Sequence, residues 1–387
     1  MRPLKYVLLL LLFPFFSFGQ GIEFFEGTWK EAMAKAKAEN KLLFVDSYTT
    51  WCGPCIRMAK NVFTLEKVGN FFNQNFINLK LDMEKEDGIS FGHKYPVKAY
   101  PTLFFLNGDG KVIKKITGGQ QPDGLISQGE NALKSNDQSG QYVEQYEAGN
   151  REYSLVFDYV KALNMAGKPS LKISNDYLSS NPEITEEQKL LFIFEAVVEA
   201  DSRLFTLLTD EKAKILPLVG QDSYDQKIKK ACETTVEKAI QFEVPSLVDE
   251  AVQKMKENVP SSSEAFEWKS KYQYSKTFRD EKAFIKAYRG TVKMDSKNEE
   301  VLKTVAKDII SSFPENKEML KDAVTYAEKV YEIKSDQESL NFLCHVLMIV
   351  GDIKTAVKHV NEAKENAVKK GEDISYFDNM IRFLENK

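Results

Sequence analysis

The first part of the chain alternates short apolar runs with polar stretches of helical period. A continuous apolar run is typical of a strand covered on both faces, and one occurs at 42–45. Residues 76–81 and the apolar stretch 102–106 are the next predicted strands. The turn at 107–110 contains two glycines that favour a hairpin, and 111–117 is the predicted returning strand. The pattern predicts a mixed α/β sheet flanked by helices, with an antiparallel hairpin at its end.

Capping residues mark where helices begin in this part. Thr28 is followed by Glu31 at the spacing of a capping box, and Thr64 is the predicted N-cap of a helix over 65–73. Residues 22–25 form a predicted short edge strand. The remaining helices of this part are predicted at 55–63, 84–95 and 122–133.

The strand signals stop at a polar, breaker-rich stretch, 136–141, which we predict to be a linker. Apolar residues recur at three and four positions throughout 142–387, which is typical of helices. We therefore predict an α/β domain over 20–135 and an all-α domain over 142–387.

The last helices, at about 318–387, carry a repeat signal. Small and apolar residues stand where a tetratricopeptide repeat has them, and stacked helix pairs of that kind form a curved array that can hold a peptide or partner. An irregular helical bundle is the alternative interpretation. The residues that carry the signal are Leu340, Leu343, Cys344, Leu347, Gly351, Ala356, Val360 and Ala363.

The first 19 residues have the features of a secretory signal peptide. Arg2 and Lys5 precede an apolar run at 8–16, and 17–19 has small residues at the spacing of a cleavage site before Gln20. A membrane anchor is the alternative, but the apolar run is shorter than the about 20 residues that a bilayer requires. We expect cleavage, no membrane insertion afterwards, and export to a bacterial periplasm, with secretion as the other destination.

Composition excludes some classes of protein. The 387 residues include 53 Lys and Arg against 57 Asp and Glu, so no basic field is available to bind nucleic acid. Four cysteines are too few for a disulfide scaffold in a chain of this length. Cys232 and Cys344 lie in helical patterns, and we expect them to be buried and unpaired.

The chemistry of the chain is concentrated at Trp51-Cys52-Gly53-Pro54-Cys55, between a predicted strand and a predicted helix. Two cysteines separated by two residues can close a small disulfide, and a helix N-terminus stabilises a thiolate. Half of a zinc site is the alternative, but no second CxxC and no close pair of histidines completes four ligands. We therefore predict a redox site without a metal.

The sequence offers no cofactor site. It contains no phosphate-binding glycine loop and no dinucleotide fingerprint, so electrons must come from a separate redox partner protein. Glu84 and Glu86 lie in a polar stretch and are interpreted as solvated.

Residues 22–135 resemble the thioredoxin family. The resemblance is carried by the stretch 51–55, by Asp46 six residues before the first cysteine, and by a Pro-Thr pair, Pro101-Thr102, before a strand. It implies a thioredoxin-like fold, with Cys52 as an exposed nucleophile and Cys55 as the resolving thiol. It also implies that Asp46, taken to end the first strand, relays protons to Cys55.

The resemblance further implies a peptide-binding edge. Pro101 is the expected cis-proline facing the cysteines, and the backbone of Tyr100 is expected to bind a peptide. Tyr100 is bulkier than the residue usual at this place in thioredoxins. The residues implied to bind substrate or shape the site are Trp51, Gly53, Pro54, Tyr100, Pro101 and Thr102.

These observations favour an exported thiol-disulfide oxidoreductase that reduces protein or peptide disulfides. A binding or scaffold protein with an auxiliary or redox-sensing CxxC is the rival from another class. A disulfide oxidase or isomerase is the narrower rival, because a few tens of millivolts decide the direction of the reaction.

Overall fold

The computed structural model of the protein describes residues 21–386. The predicted signal peptide and its cleavage point lie outside these residues. The chain divides into two compact units, of which the first ends at Asn181 and the second begins at Pro182. The helix break at 136–139 lies inside the first unit, which therefore also holds helices that we assigned to the all-α domain. The predicted domain bounds themselves stay a prediction.

The sheet of the first unit has four strands in the order β2-β1-β3-β4. The strands β1 and β2 are parallel, β3 is antiparallel to β1, and β4 is antiparallel to β3. This arrangement confirms the prediction of a mixed sheet ending in a hairpin. The strands are β1 Leu42–Tyr48, β2 Phe76–Asp82, β3 Thr102–Leu106 and β4 Val112–Thr117.

Helices α1 to α8 complete the first unit. The first of them begins with the predicted capping box, in which the Thr28 side chain accepts from the Glu31 N–H and the Glu31 carboxylate accepts from the Thr28 N–H. The helices are α1 Trp29–Ala38, α2 Gly53–Asn61, α3 Glu66–Asn75, α4 Glu86–Lys94, α5 Pro122–Ser135, α6 Gly140–Glu147, α7 Tyr153–Met165 and α8 Leu171–Ser179.

The predicted edge strand at 22–25 is wrong. This segment belongs to no strand of the sheet. Side-chain amides occupy the places that a ladder would need: the Asn73 Oδ1 accepts from the Glu23 N–H, and the Asn78 Nδ2 donates to the Glu23 carbonyl. The segment is therefore tied to the sheet by single bonds, such as the 2.7 Å bond from the Phe25 N–H to the Asn78 carbonyl.

The predicted cap at Thr64 is also wrong. Its hydroxyl donates to the Lys60 carbonyl at 2.8 Å and so satisfies the end of α2. Leu65 is the N-cap of α3 and makes no side-chain capping bond. The hydroxyl bonds the preceding helix because a threonine one turn beyond a carbonyl can reach back to it.

The two faces of the sheet bury different sets of side chains. Phe44 packs towards α2, α3 and α5, with ring centroids 4.7 Å from Phe72 and 5.2 Å from Phe105. Val45 points to the opposite face, where α1 and α4 cover it. This alternation along β1 fixes which face each later residue of the strand occupies.

Replacing Phe44 by alanine is expected to lower the free energy of unfolding of the first unit by about 3–5 kcal/mol, because the ring is fully buried among other aromatic rings. Hydrogen exchange of the β1 amides measures this loss in the intact chain. The control is Ile89→Ala, at a side chain of the same unit in a residue that is 48% exposed, where we expect a change within about 0.5 kcal/mol. A loss of less than about 1 kcal/mol at Phe44 would contradict the described packing.

The regular elements described in the second unit are all helices, which confirms the predicted fold class. None of the helices within 21–386 has both the length and the apolar character of a membrane span. The helices of this unit are α9 Glu186–Ala196, α10 Arg203–Asp210, α11 Lys212–Val219, α12 Gln221–Gln241, α13 Pro245–Asn258, α14 Pro260–Thr277, α15 Glu281–Met294, α16 Glu299–Ser312, α17 Lys317–Lys334, α18 Gln337–Ile349, α19 Ile353–Lys370 and α20 Ser375–Glu385.

A regular period appears within the second unit. The N-caps of α15, α17 and α19 are Asp280, Asn316 and Asp352, which stand at intervals of 36 residues, and each side chain accepts a bond from the helix that it begins. The Tyr272 hydroxyl donates to Asp308, also 36 residues away, at 2.7 Å. Helix pairs of nearly constant length therefore follow one another in this part of the chain.

Cys232 and Cys344 are buried and form no disulfide. Burial raises the pKa of each thiol to about 12. Both match the expectation of structural, unpaired cysteines.

We expect these two thiols to resist alkylation by iodoacetamide at pH 8 in the folded chain, because a thiol with a pKa of about 12 has only about one thiolate in 10⁴ at that pH. Peptide mapping by mass spectrometry after mild reduction measures the modification of each cysteine. Under denaturing conditions all four cysteines should react. Labelling of Cys232 or Cys344 as fast as Cys52 in the folded chain would contradict the described burial.

Candidate active site

The helix α2 begins where the chain turns after β1. Cys52 is its N-cap: its N–H donates to the Thr49 carbonyl at 3.3 Å, and its carbonyl accepts from the Ile56 N–H at 3.0 Å. Pro54 lies in the first turn, where its missing N–H costs no helical bond. The sequence thus places the two cysteines one turn apart, at the N-terminus of a helix.

Cys52 and Cys55 form a disulfide, with 5.3 Å between their Cα atoms. The Cys55 N–H donates to the Cys52 Sγ at 3.2 Å. We expected Cys52 at an exposed helix tip, but only 4% of the residue is exposed in this disulfide form. The reason is that its sulfur is bonded to Cys55, which lies on the buried side of α2.

Asp46 lies inside β1 and not at its end, because the strand continues to Tyr48, paired with Asp82. It shares a face with Phe44, two residues before it, and this is the face that α2 covers. Only 1% of the residue is exposed, and its Oδ1 has no hydrogen-bond partner within residues 21–386. A carboxyl group is therefore buried on the sheet face beneath the helix that carries the cysteines.

Burial raises the pKa of Asp46 to about 7, although the nearby Lys80 acts in the opposite direction. Lys80 is the partner of Asp46 in the parallel register of β1 and β2. A carboxyl group with this pKa can both accept and release a proton near neutral pH.

The register of the sheet gathers the other site segments at the same end. Ser47 pairs with Thr102, which in turn pairs with Thr117, so the chain before β3 and the chain after β4 lie at the end of β1. The Tyr100–Pro101 peptide bond is cis, as the family resemblance implied. The Pro101 carbonyl accepts from the Gly118 N–H at 2.8 Å.

The matching family model is that of a thioredoxin-like domain, over residues 29–132. A thioredoxin-like protein of Synechocystis sp. is 36% identical over 88 residues, which are 23% of this chain and 78% of that protein. The chain belongs to the thioredoxin-like family.

Two further proteins are similar to part of the chain. The chloroplastic thioredoxin-like protein CITRX of Arabidopsis thaliana is 38% identical over 81 residues, which are 21% of this chain and 42% of CITRX. The chain therefore spans less than half the length of that relative. A solution structure from Bacteroides thetaiotaomicron, proposed to be a disulphide-isomerase, is 45% identical, with 30% of this chain and 96% of that chain covered and a TM-score of 0.28.

Two aromatic rings of this thioredoxin-like domain, those of Trp51 and Tyr100, pack together, and Trp51 directly precedes Cys52 in the chain. The Trp51 ring is 66% exposed, and its edge meets the ring of Tyr100 at a centroid distance of 6.0 Å. The Trp51 Nε1–H donates to the Glu84 carboxylate at 2.9 Å. Glu84 is exposed, which agrees with its interpretation as solvated, and it also accepts this bond from the indole.

The loop after β4 touches α2 in the thioredoxin-like domain. A Cβ atom on Gly119 would lie 3.7 Å from the Pro54 Cβ, and the Gln120 N–H donates to the Met58 Sδ at 3.3 Å. The Thr102 hydroxyl donates to the Ala99 carbonyl at 2.7 Å and so holds the chain around the cis bond. These contacts place the loop after β4 against α2 and hold the chain at the start of β3 around the cis bond.

Sequence reasoning missed three contributors to this site, Lys80, Glu84 and Met58. Each contacts or pairs with a site residue that is distant in sequence, so no local motif predicts its role. Within residues 21–386, no group of three or more His, Cys, Asp or Glu side chains is placed to hold a metal ion.

Proposed function

We propose that the protein is an exported thiol-disulfide oxidoreductase that reduces disulfides of client proteins in the cell envelope. The observation that carries this proposal is the pairing of a CxxC disulfide at the N-cap of α2 with a buried Asp46 whose pKa lies near 7. The first supplies a nucleophile, and the second supplies an acid or base at neutral pH. Membership of the thioredoxin-like family supports the same chemistry.

In the first step, the thiolate of reduced Cys52 attacks one sulfur of a client disulfide. A bond forms between Cys52 and that sulfur, and the bond to the second client sulfur breaks. The second sulfur leaves as a thiolate and takes up a proton.

In the second step, Cys55 loses its proton to Asp46 and attacks the Cys52 Sγ. The bond between Cys52 and the client breaks, and the client sulfur leaves as a thiolate that takes up the proton held by Asp46. The Cys52–Cys55 disulfide forms again. A dithiol of a separate redox partner protein then returns two electrons and two protons to the cysteine pair.

Two further parts of the proposal concern the rest of the chain. The predicted signal peptide supports export to the periplasm or beyond. The 36-residue interval of the helix caps supports a tetratricopeptide-like array, which would position clients or the redox partner.

Reduction of an insulin-type disulfide by the chain from Gln20 onwards tests the proposal. Equilibration with a dithiol buffer gives the reduction potential of the cysteine pair, and a value of about −270 mV supports a reductase. A much higher potential would identify an oxidase or isomerase instead. Failure of the reduced chain to reduce the disulfide would leave the scaffold hypothesis.

Export has its own test in the cells that make the protein. Fractionation should place the mature chain outside the cytoplasm, and N-terminal sequencing should begin at Gln20. A mature chain that keeps residues 1–19 would contradict the predicted cleavage.

A further inference from the structure

Arg57 extends along α2 towards the cysteine pair. Its Nη1 lies 3.7 Å from the position that a Cβ atom on Gly53 would occupy. The two residues are four apart on one helix, and helical side chains lean towards the N-terminus, so this placement follows from helix geometry. A guanidinium group therefore borders the residue between Cys52 and Pro54.

This guanidinium is free to bind a ligand. Arg57 is exposed, and within the described part of the chain it takes part in no ion pair or side-chain hydrogen bond. The first turn of α2 contains no acidic residue that could neutralise it. By contrast, Lys67 in the next helix pairs with Asp123 at 2.6 Å. Arginine presents several donors in a planar fork that matches a carboxylate.

The other sequence neighbour of Cys52 has a negative charge beside it. The Glu84 carboxylate accepts from the indole of the exposed Trp51. Gly53 has no side chain, and apart from its chain neighbours and its own helix backbone, only Arg57 among the described residues has an atom within 4 Å of where its Cβ atom would lie. An anionic group of a client is therefore favoured on the Gly53 side and disfavoured on the Trp51 side.

We propose that Gly53 and Arg57 form a subsite for a carboxylate, which favours client disulfides with an aspartate or glutamate next to the reacting cysteine. This inference rests on the proposed function for its biological meaning. The attraction of a carboxylate to the site can be measured without it.

The direct test compares two alkylating reagents on reduced Cys52. Iodoacetate carries a carboxylate and iodoacetamide does not, so the ratio of their rates reports the charge beside the thiol. For an exposed ion pair we expect Arg57→Gln to lower this ratio about two- to five-fold, and Arg57→Glu to lower it further. The control Lys60→Gln removes an exposed charge of the same helix and should leave the ratio unchanged.

A second test uses three disulfide peptides that differ only in having glutamate, glutamine or lysine beside the cysteine. The unchanged chain should reduce the glutamate peptide about two- to five-fold faster than the lysine peptide, as kcat/KM at low ionic strength. Arg57→Gln should abolish the preference, Arg57→Glu should reverse it, and Lys60→Gln should keep it. High salt should weaken it.

The outcomes separate the two proposals. An alkylation ratio that Arg57→Gln does not change, or one that Lys60→Gln changes as much, would overturn the subsite. Peptides that are all reduced at one rate would overturn it as well. If no peptide is reduced, the proposed function fails, and the alkylation ratio still decides whether the subsite attracts a carboxylate.

Discussion

Replacing Cys52 by serine is expected to lower the rate of insulin-type disulfide reduction to the rate without protein. The attacking group in the proposed cycle is the Cys52 thiolate, and a serine hydroxyl can neither form a disulfide nor ionise at neutral pH. The substitution changes one atom in a residue that is 4% exposed, so the fold should be kept. The turbidity of the precipitating insulin chains measures the rate.

Cys55→Ser separates attack from resolution. Cys52 can still attack a client disulfide in this variant, but no thiol remains one turn away to release the client. We expect a mixed disulfide of one client per chain, seen as an added mass that a dithiol removes. Cys232→Ser is the matched control, because Cys232 is a buried free cysteine of the second unit, and full activity is expected.

Two results would contradict this assignment. Substantial reduction by the Cys52→Ser variant would place the nucleophile elsewhere. A mixed disulfide that forms on Cys55 in preference to Cys52 would reverse the order of the two thiols.

The sheet was predictable because strands that are buried on both faces are rich in apolar residues. The run at 42–45 predicts β1, but the first polar residue after it, Asp46, predicts too early an end of the strand, which continues to Tyr48. Residues 46–48 continue the strand because β2 pairs with all three of them and β3 pairs with residues 46 and 47. Such pairing depends on register, which a local pattern does not encode.

The site was predictable only where its residues lie next to each other in sequence. The stretch 51–55 is local, and Asp46 and Pro101 came from the family resemblance. Sequence patterns do not predict that Lys80 belongs to the site, because its position beside Asp46 follows from the parallel register of β1 and β2. They do not predict the contact of Glu84 either, because its hydrogen bond to the Trp51 indole joins residues 33 apart in sequence.

The helix caps of the second unit carry a repeat signal that the apolar pattern does not show. Asp280, Asn316 and Asp352 stand at equal intervals, and each is a residue type that caps helices. Reading these caps would have extended the predicted repeat towards the N-terminus, beyond 318–387. Of the helices that these caps begin, α15 has 14 residues, and α17 and α19 have 18 each.

Replacing Asp46 by asparagine is expected to stabilise the first unit at pH 8. The pKa of Asp46 is raised to about 7 in the folded chain, against an ordinary value of 3.8. The unfolded chain therefore ionises first as the pH rises, and the stability that the protonated carboxyl contributes is complete below 3.8 and lost as the pH passes through about 7. A shift of this size corresponds to at most about 4 kcal/mol, and we expect a gain of about 2–4 kcal/mol.

Hydrogen exchange of the β1 amides at pH 4 and pH 8 measures this gain. The variant and the unchanged chain should differ little at pH 4 and most at pH 8. Asp109→Asn is the matched control, because the side chain of Asp109 is 71% exposed, and we expect a change within about 0.5 kcal/mol at both pH values. Equal stabilisation at pH 4 and pH 8 would show that packing, and not ionisation, causes the effect.

The same substitution should slow the second step of the cycle, because asparagine cannot accept the Cys55 proton. The rate of client release from the mixed disulfide should then lose its rise near pH 7 and increase only as the Cys55 thiol ionises by itself. The attack by Cys52 on a client should change little, since Asp46 is buried beneath α2 and does not face the client. A variant that is more stable at pH 8 and yet releases clients more slowly would show two effects of the buried carboxyl group. It lowers the stability of the fold, and it speeds the release of clients.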